Sequence, residues 1–443
     1  MLAALVAHTA GTVTAAFRTS AERRAAYDFL ASAKVTVLAL ATAIWEACAR
    51  RCDDFEWVYV PIDGSSLAFA DPYKTRGTGA IGALTHAARG FLVMTAIAVS
   101  PAGVPLGILG QLFWTRIARR IKDSRDKRAF ANKESRYWVV VAEQVIAALK
   151  SQAGGCTPWF QFDRGGDIGE VLLHAVAHDW RITVRAAQDR RLAEGAQVRY
   201  LWRRLSGRAV LGRYKLVVAA TGSRVGRVAT MSVRACTVTL RLRDRRNKTY
   251  RTVTLGAVLA REVNVPRGAT GLEWLLLTTA PVTSFAQALA VVQGYVQRWK
   301  IELFHHLWKS GRCQVESSHL QHGEGIQKWA TMLGSVAMRT MQLTYQARET
   351  PDAAASTLLS RDEIDAIILL RRPQKFGVGD DPPLGTTVRW IAEIGGFTNK
   401  SKATHPGKVV VGRGLDKIAT AVQLLAVLRT PQPEAKEKRR GQR

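Results

Sequence analysis

The sequence predicts an α/β protein, and three observations predict it. Two apolar segments, Trp57–Ile62 and Trp159–Phe162, each run straight into an aspartate, Asp63 and Asp163. A helix-period apolar stripe opens at Ser284. Between them, over about residues 195–280, apolar residues recur at every second position, the period of a half-buried strand.

In chain order, residues 20–50 are Ala-rich with scattered Arg and read as helix. Trp57-Val58-Tyr59-Val60-Pro61-Ile62-Asp63-Gly64 reads as a strand closing on an acid and a turn residue, with Pro61 awkward because proline forfeits a ladder bond. Phe91–Ser100 predicts a buried strand, and Val104–Leu109 another. A charged patch from Arg116 to Arg136 leads to a helix through Trp138 and Leu149, and then comes the strand ending at Asp163. Val238, Leu240 and Leu242 alternate with polar residues, as do Val253, Leu255 and Leu259 after the polar turn Asp244–Lys248, so the pair predicts a hairpin. The β-rich stretch ends in the apolar run Trp274–Leu277. Ser284 with Gln287 three residues on is a capping box opening one long helix, whose stripe is Phe285, Leu289, Val292, Val296, Leu303 and Leu307. Further helices are expected over 350–430, broken by a Gly/Pro loop between Arg372 and Thr387, and a basic tail follows Pro431.

Sixty-four Lys and Arg against thirty-five Asp and Glu give a net charge of +29, which calls for a polyanionic partner. The longest charge-free run with core character, Val35–Trp45, is too short to cross a bilayer, and residues 1–17 lack the basic start and cleavage site of a signal peptide. Nucleic acid is therefore the expected partner and a membrane is not. Five scattered cysteines suit free thiols in a reducing cytoplasm.

The chemistry sits on the long helix. Tyr295, Arg298, Glu302 and Lys309, spaced 3, 4 and 7 apart, fall within an arc of about 60° beside the apolar stripe. A carboxylate flanked by cations suits a metal-bound phosphodiester, although i,i+4 pairing on a solvated face gives the same pattern. Two strand-terminal aspartates alter that balance. With Glu302 they supply hard oxygen donors of the kind Mg²⁺ or Mn²⁺ takes.

These residues resemble a known signature. Tyr295, Arg298, Glu302 and Lys309 at this spacing look like the motif of the bacterial insertion-sequence DDE transposases of the type-four family. Asp63-Gly-Ser-Ser-Leu67 and Asp163-Arg-Gly-Gly-Asp167-Ile168 are similar to its two aspartate motifs, and Lys133-Glu134-Ser135 with Trp138 to a motif between them. Trp274-Leu-Leu-Leu-Thr278 resembles the end of its insertion domain, and Val184-Arg185 a basic position on its DNA face. The resemblance runs from about residue 20 to 430.

It implies a ribonuclease-H-like core (51–194 and 281–345) interrupted by a β-rich insertion (195–280), then a helical dimerisation region (346–430) and a basic tail (431–443). It implies that Asp63, Asp163 and Glu302 hold two Mg²⁺ ions, with Mn²⁺ able to substitute. Tyr295, Arg298, Lys309 and Arg185 would contact DNA, and Trp274 would stack on a flipped base. The partners would be transposon-end and target DNA, joined by a homodimer at the bacterial nucleoid in the cytoplasm. The reaction implied is cut-and-paste transposition through a DNA hairpin. The family also carries an N-terminal helical segment that recognises transposon ends. Residues 1–50 are expected to be its remnant, so an inhibitor with weak end recognition is the alternative. A plain ribonuclease-H-like nuclease would have no use for Trp274, and a purely structural DNA binder none for three placed acids.

Other motifs carry less. Gly77-Thr-Gly79-Ala-Ile-Gly82 lacks the preceding strand and following acid of a dinucleotide site. His174 with His178, and Cys48 with Cys52, are one helical turn apart without the further ligands a metal centre needs. His305 and His306 flank the Glu302 face, where His306 is a candidate phosphate contact.

Overall fold

A computed structural model describes residues 1–7, 9–17, 19–82, 88–116, 128–193, 198–218, 226–243, 249–398 and 405–429. The hairpin turn Asp244–Lys248, most of the charged patch after Arg116 and the basic tail from Pro431 lie outside the described residues. The strands are β1 (Trp57–Ala68), β2 (Gly79–Ala80), β3 (Arg89–Val99), β4 (Pro105–Trp114), β5 (Thr157–Phe162), β6 (Arg181–Arg185), β7 (Gly212–Val218), β8 (Arg227–Arg243), β9 (Tyr250–Val263) and β10 (Glu273–Thr278). The helices are α1 (Leu2–Ala7), α2 (Val13–Ala16), α3 (Ser20–Ala31), α4 (Val37–Cys52), α5 (Tyr137–Gln152), α6 (Gly169–Ala177), α7 (Leu201–Ser206), α8 (Phe285–Gln297), α9 (Trp299–Lys309), α10 (Gly323–Glu349), α11 (Arg361–Arg371), α12 (Leu384–Ile394) and α13 (Lys408–Arg429).

The protein is α/β, built on one mixed sheet in the order β2-β3-β1-β5-β6-β10-β9-β8-β7, with β4 pairing β3. β1, β5 and β6 run parallel, and β3 and β4 continue antiparallel on one side. Parallel strands need cover on both faces, and β1 obeys: Val58, Tyr59, Val60 and Ile62 are consecutive or near neighbours and all buried. Helices α4, α5 and α10 pack on β4, α8 packs on β5 and β6, and α9 packs on β1. The sheet does not stop at β6. The β8–β9 hairpin, in register Arg243↔Tyr250, joins it through β10, which pairs β6 antiparallel.

Two expectations need correction. β1 does not end at Asp63 but continues to Ala68, because Gly64–Ser66 keep pairing with Val93, Met94 and Leu92 of β3. The register with β3 omits Val60 and Pro61 while that with β5 retains them, so the proline costs pairing on one side of the strand only. The long helix, capped by Ser284 and Gln287 as expected, is two helices joined at Arg298. There the Arg298 N–H donates to the Tyr295 carbonyl at 3.1 Å and the Ile301 N–H to the Arg298 carbonyl at 3.1 Å. Such i→i+3 bonds tighten the turn and shift the faces beyond it. The buried line consequently runs through Ala288, Val291, Tyr295, Arg298 and Ile301, while Phe285, Leu289, Val296 and Leu303 are half-buried and only Val292 and Leu307 of the expected stripe are fully inside.

α10 carries the chain to a second apolar cluster, where Leu343 meets Ile364, Ile367, Leu384, Ile391 and Leu415 of α11, α12 and α13. The expected Gly/Pro loop separates α11 from α12, which begins at Leu384, earlier than foreseen, with Pro383 at its N-cap. No described helix is long and apolar enough to cross a membrane.

Candidate active site

The sheet itself brings the two aspartates together. β1 and β5 pair in parallel with Ile62 opposite Phe162, so Asp63 and Asp163 occupy the next position on neighbouring strands. Asp163 is the first residue beyond β5, where its Oδ1 accepts the Gly165 N–H at 2.7 Å and caps a short 3₁₀ turn. Asp63 lies within β1, its Oδ1 accepting the Gly64 N–H at 2.8 Å. Its carboxyl is pushed up to about 7, first by burial and then by the Asp163 charge, against the pull of Arg298.

Glu302 arrives from α9, which packs on β1. The joint at Arg298 aims a guanidinium between the acids: Nη2 donates to Glu302 Oε1 at 2.6 Å and Nη1 to Asp63 Oδ2 at 3.5 Å. Arg298 is only 5% exposed, so this cation is held in the interior by its partners. Burial opposes its charge, and the bond to Glu302, aided by Tyr295 and Asp63, outweighs the opposition.

Tyr295, one turn earlier, is buried, and burial pushes its phenol up while Arg298 and Arg185 pull it back. Its ring stands edge-on to Trp274, centroids 6.1 Å apart. Trp274 is half-buried on β10, packed against the core and lining a cleft of about 700 Å³. Arg185, at the end of β6, lines the same cleft and donates to the Glu273 carbonyl at 3.1 Å. Lys309 is set apart from this group, 3.7 Å from Glu316, whose Oε1 accepts the Ala68 N–H at the far end of β1.

Sequence reasoning missed Trp202, Trp299 and Arg164 in the cleft wall. Trp299 is half-exposed beside Arg298, and a tryptophan directly following the arginine of the motif was an available signal. Trp202 had none, since it sits on the short α7, held by its Nε1 donating to Glu273 Oε1 at 3.0 Å. Asp167 has a structural part: it is buried, accepts the Ala187 N–H at 2.7 Å and pairs with Arg190 at 2.6 Å.

The remaining motifs have local explanations. His174 on α6 and His178 at its C-terminal cap stack with ring centres 4.0 Å apart. Cys52 Sγ donates to the Cys48 carbonyl at 3.3 Å. A Cβ on Gly79 would lie 2.7 Å from the Arg116 carbonyl oxygen, so close backbone approach accounts for the central glycine of that motif. His305 is buried and pushed down to about 3, by burial first and Lys309 second, which makes it a neutral core ring, while His306 is exposed.

Among the described residues, no three His, Cys, Asp or Glu side chains close on a point that would hold an ion, and at this site Arg298 contacts both Asp63 and Glu302. The donor set nonetheless suits a divalent cation. Asp63 and Asp163 repel one another, a cation relieves that repulsion, and carboxylate oxygens are what Mg²⁺ and Mn²⁺ prefer. Asp63, Asp163 and Glu302 are the residues that could hold it. Compared with known protein families, the chain matches none of them.

Proposed function

We propose that this chain is a DDE transposase that cuts and joins DNA strands by metal-dependent phosphoryl transfer, on a ribonuclease-H-like core. The observation that carries the reading is the parallel β1–β5 register, which sets Asp63 beside Asp163, with Glu302 linked to Asp63 through Arg298. The strand arrangement supports the core: β4, β3 and β1 are antiparallel neighbours, and β5 and β6 follow parallel to β1.

When bound by the three acids, a pair of divalent cations supplies charge to the attacking and departing oxygens of a phosphodiester. The chain's own residues do the rest. The +29 charge gathers duplex DNA, and the donors of Arg298, Arg185 and Tyr295 offer phosphate contacts beside the acids. Trp274 presents an indole to the cleft, where an unstacked base can lie against it while the DNA end bends into a hairpin. The exposed Leu424, Val427 and Leu428 at the end of α13 suit packing against a second copy in a homodimer.

Gel analysis of strand cleavage on element-end DNA tests the reading. Products, including a hairpin, should form with Mg²⁺ and vanish with EDTA or in Asp163→Asn. Cleavage that persists in both cases overturns it.

A further inference from the structure

The structure sets a cation of the chain's own where an external one is needed. Arg298 Nη1 faces Asp63 Oδ2 at 3.5 Å and Nη2 faces Glu302 Oε1 at 2.6 Å, so one guanidinium bridges two of the three acids. Its fork is rigid, and both arms are used on carboxylates, so its charge already serves two acids that a metal ion would otherwise neutralise. The Nε–H is the exception. It is buried and has no hydrogen-bond partner. Buried guanidinium N–H groups normally find acceptors, so this one points to an acceptor that arrives with a ligand. The neighbouring rings pack against the guanidinium and leave its Nε–H unpaired: the Tyr295 and Trp299 ring centres lie 5.8 and 5.1 Å from the guanidinium carbon.

A DNA phosphate supplies what is missing. Its oxygens match the Arg fork, and engagement through Nε and one Nη draws the guanidinium off at least one carboxylate. We propose that Arg298 is a substrate-displaced counter-ion: it neutralises Asp63 and Glu302 in the DNA-free protein and releases them when DNA docks, so that divalent cations bind well only after DNA. The proposal rests on the reading of Asp63 and Glu302 as metal ligands and adds an order of binding to it. Linkage makes the effect reciprocal, since whatever DNA adds to cation affinity the cation adds to DNA affinity. Such a device keeps the free protein from holding a loaded cutting centre.

The test is Mn²⁺ binding by the full chain, followed by calorimetry and by the paramagnetic signal of free Mn²⁺, with and without a short DNA duplex. Wild-type protein should bind Mn²⁺ about ten- to a hundredfold more tightly with DNA than without. Arg298→Met keeps the chain length and removes the bridge, so it should bind Mn²⁺ without DNA about as tightly as wild type does with it. Lys300→Met removes a positive charge two residues further on, in the first turn of α9, but Lys300 bonds Gln297 and not the acids, so it should behave as wild type. If Arg298→Met does not fold, Arg298→Lys serves: one ammonium cannot span both carboxylates, and DNA-free affinity should rise part of the way. Wild type that binds Mn²⁺ equally with and without DNA, or equal gains in the Arg298 and Lys300 variants, overturns the proposal while leaving the metal site standing. Failure of every protein to bind Mn²⁺ under both conditions overturns the metal site and the proposal together.

Discussion

Arg298 reaches Asp63 across 235 positions of sequence, its Nη1 resting 3.5 Å from the carboxylate. The contact depends on two features of different origin. The β1–β5–β6 strands fix Asp63, and the tightened turn between α8 and α9 fixes Arg298. Arg298 relieves part of the strain of an acid already crowded by Asp163. What remains has consequences that can be measured.

The first concerns pH. Asp63 has a folded pKa of about 7, raised from 3.8 mainly by burial and then by Asp163. Below the ordinary value both folded and unfolded chains hold the proton, and the group costs nothing. As pH rises from there towards the folded value, the unfolded chain releases a proton that the folded chain keeps, so stability falls across that window and stays reduced above it. In EDTA, Asp63→Asn should therefore melt higher than wild type near about pH 8, with the gap closing towards about pH 4. A gap that is constant with pH, or that widens towards acid, contradicts the burial and repulsion described at this site.

The second concerns salt. If DNA binding follows the +29 charge through about six or more phosphate contacts, affinity should fall roughly a thousandfold or more between about 50 and 200 mM salt. A titration followed by fluorescence anisotropy gives the slope directly. A flat response points to a partner other than DNA.

The third separates transposase from simple nuclease through Trp274. The indole lines the cleft and also packs on the core beside Tyr295, so Trp274→Ala should lose some thermal stability, and the separate reaction steps tell the two roles apart. First-strand nicking should stay near normal. Hairpin formation or opening should slow about 5- to 150-fold, the equivalent of about 1–3 kcal/mol of base stacking. Equal slowing of every step with a lowered melting temperature would mark Trp274 as a packing residue.

Much of this was readable in the sequence, for reasons that particular residues make clear. Apolar runs ending at Asp63 and Asp163 identified two neighbouring strands, and period-two alternation around Val238 and Val253 identified the hairpin, because both patterns are local. Ser284 and Gln287 marked the start of α8 for the same reason. The joint at Arg298 was not legible, since a tightened turn follows from packing across the sheet rather than from the residues in it. That one joint displaced the apolar stripe, and the pairing of Lys309 with Glu316 was equally hidden from sequence. The polar residues Gly64–Ser66 concealed the continuation of β1, which only their pairing with β3 reveals. Trp202 entered the cleft from the short α7, where no periodicity is long enough to read.

The most direct test of the central claim is Glu302→Gln assayed for DNA binding and for Mg²⁺-dependent strand cleavage on the same substrate. The amide keeps the shape and can still meet Arg298, but it lacks the charge that holds a divalent cation. Glu302→Gln should bind DNA nearly as wild type does and yield no cleaved strand. Cleavage at the wild-type rate in Mg²⁺ would show that Glu302 holds no metal and that the three acids are not the cutting centre.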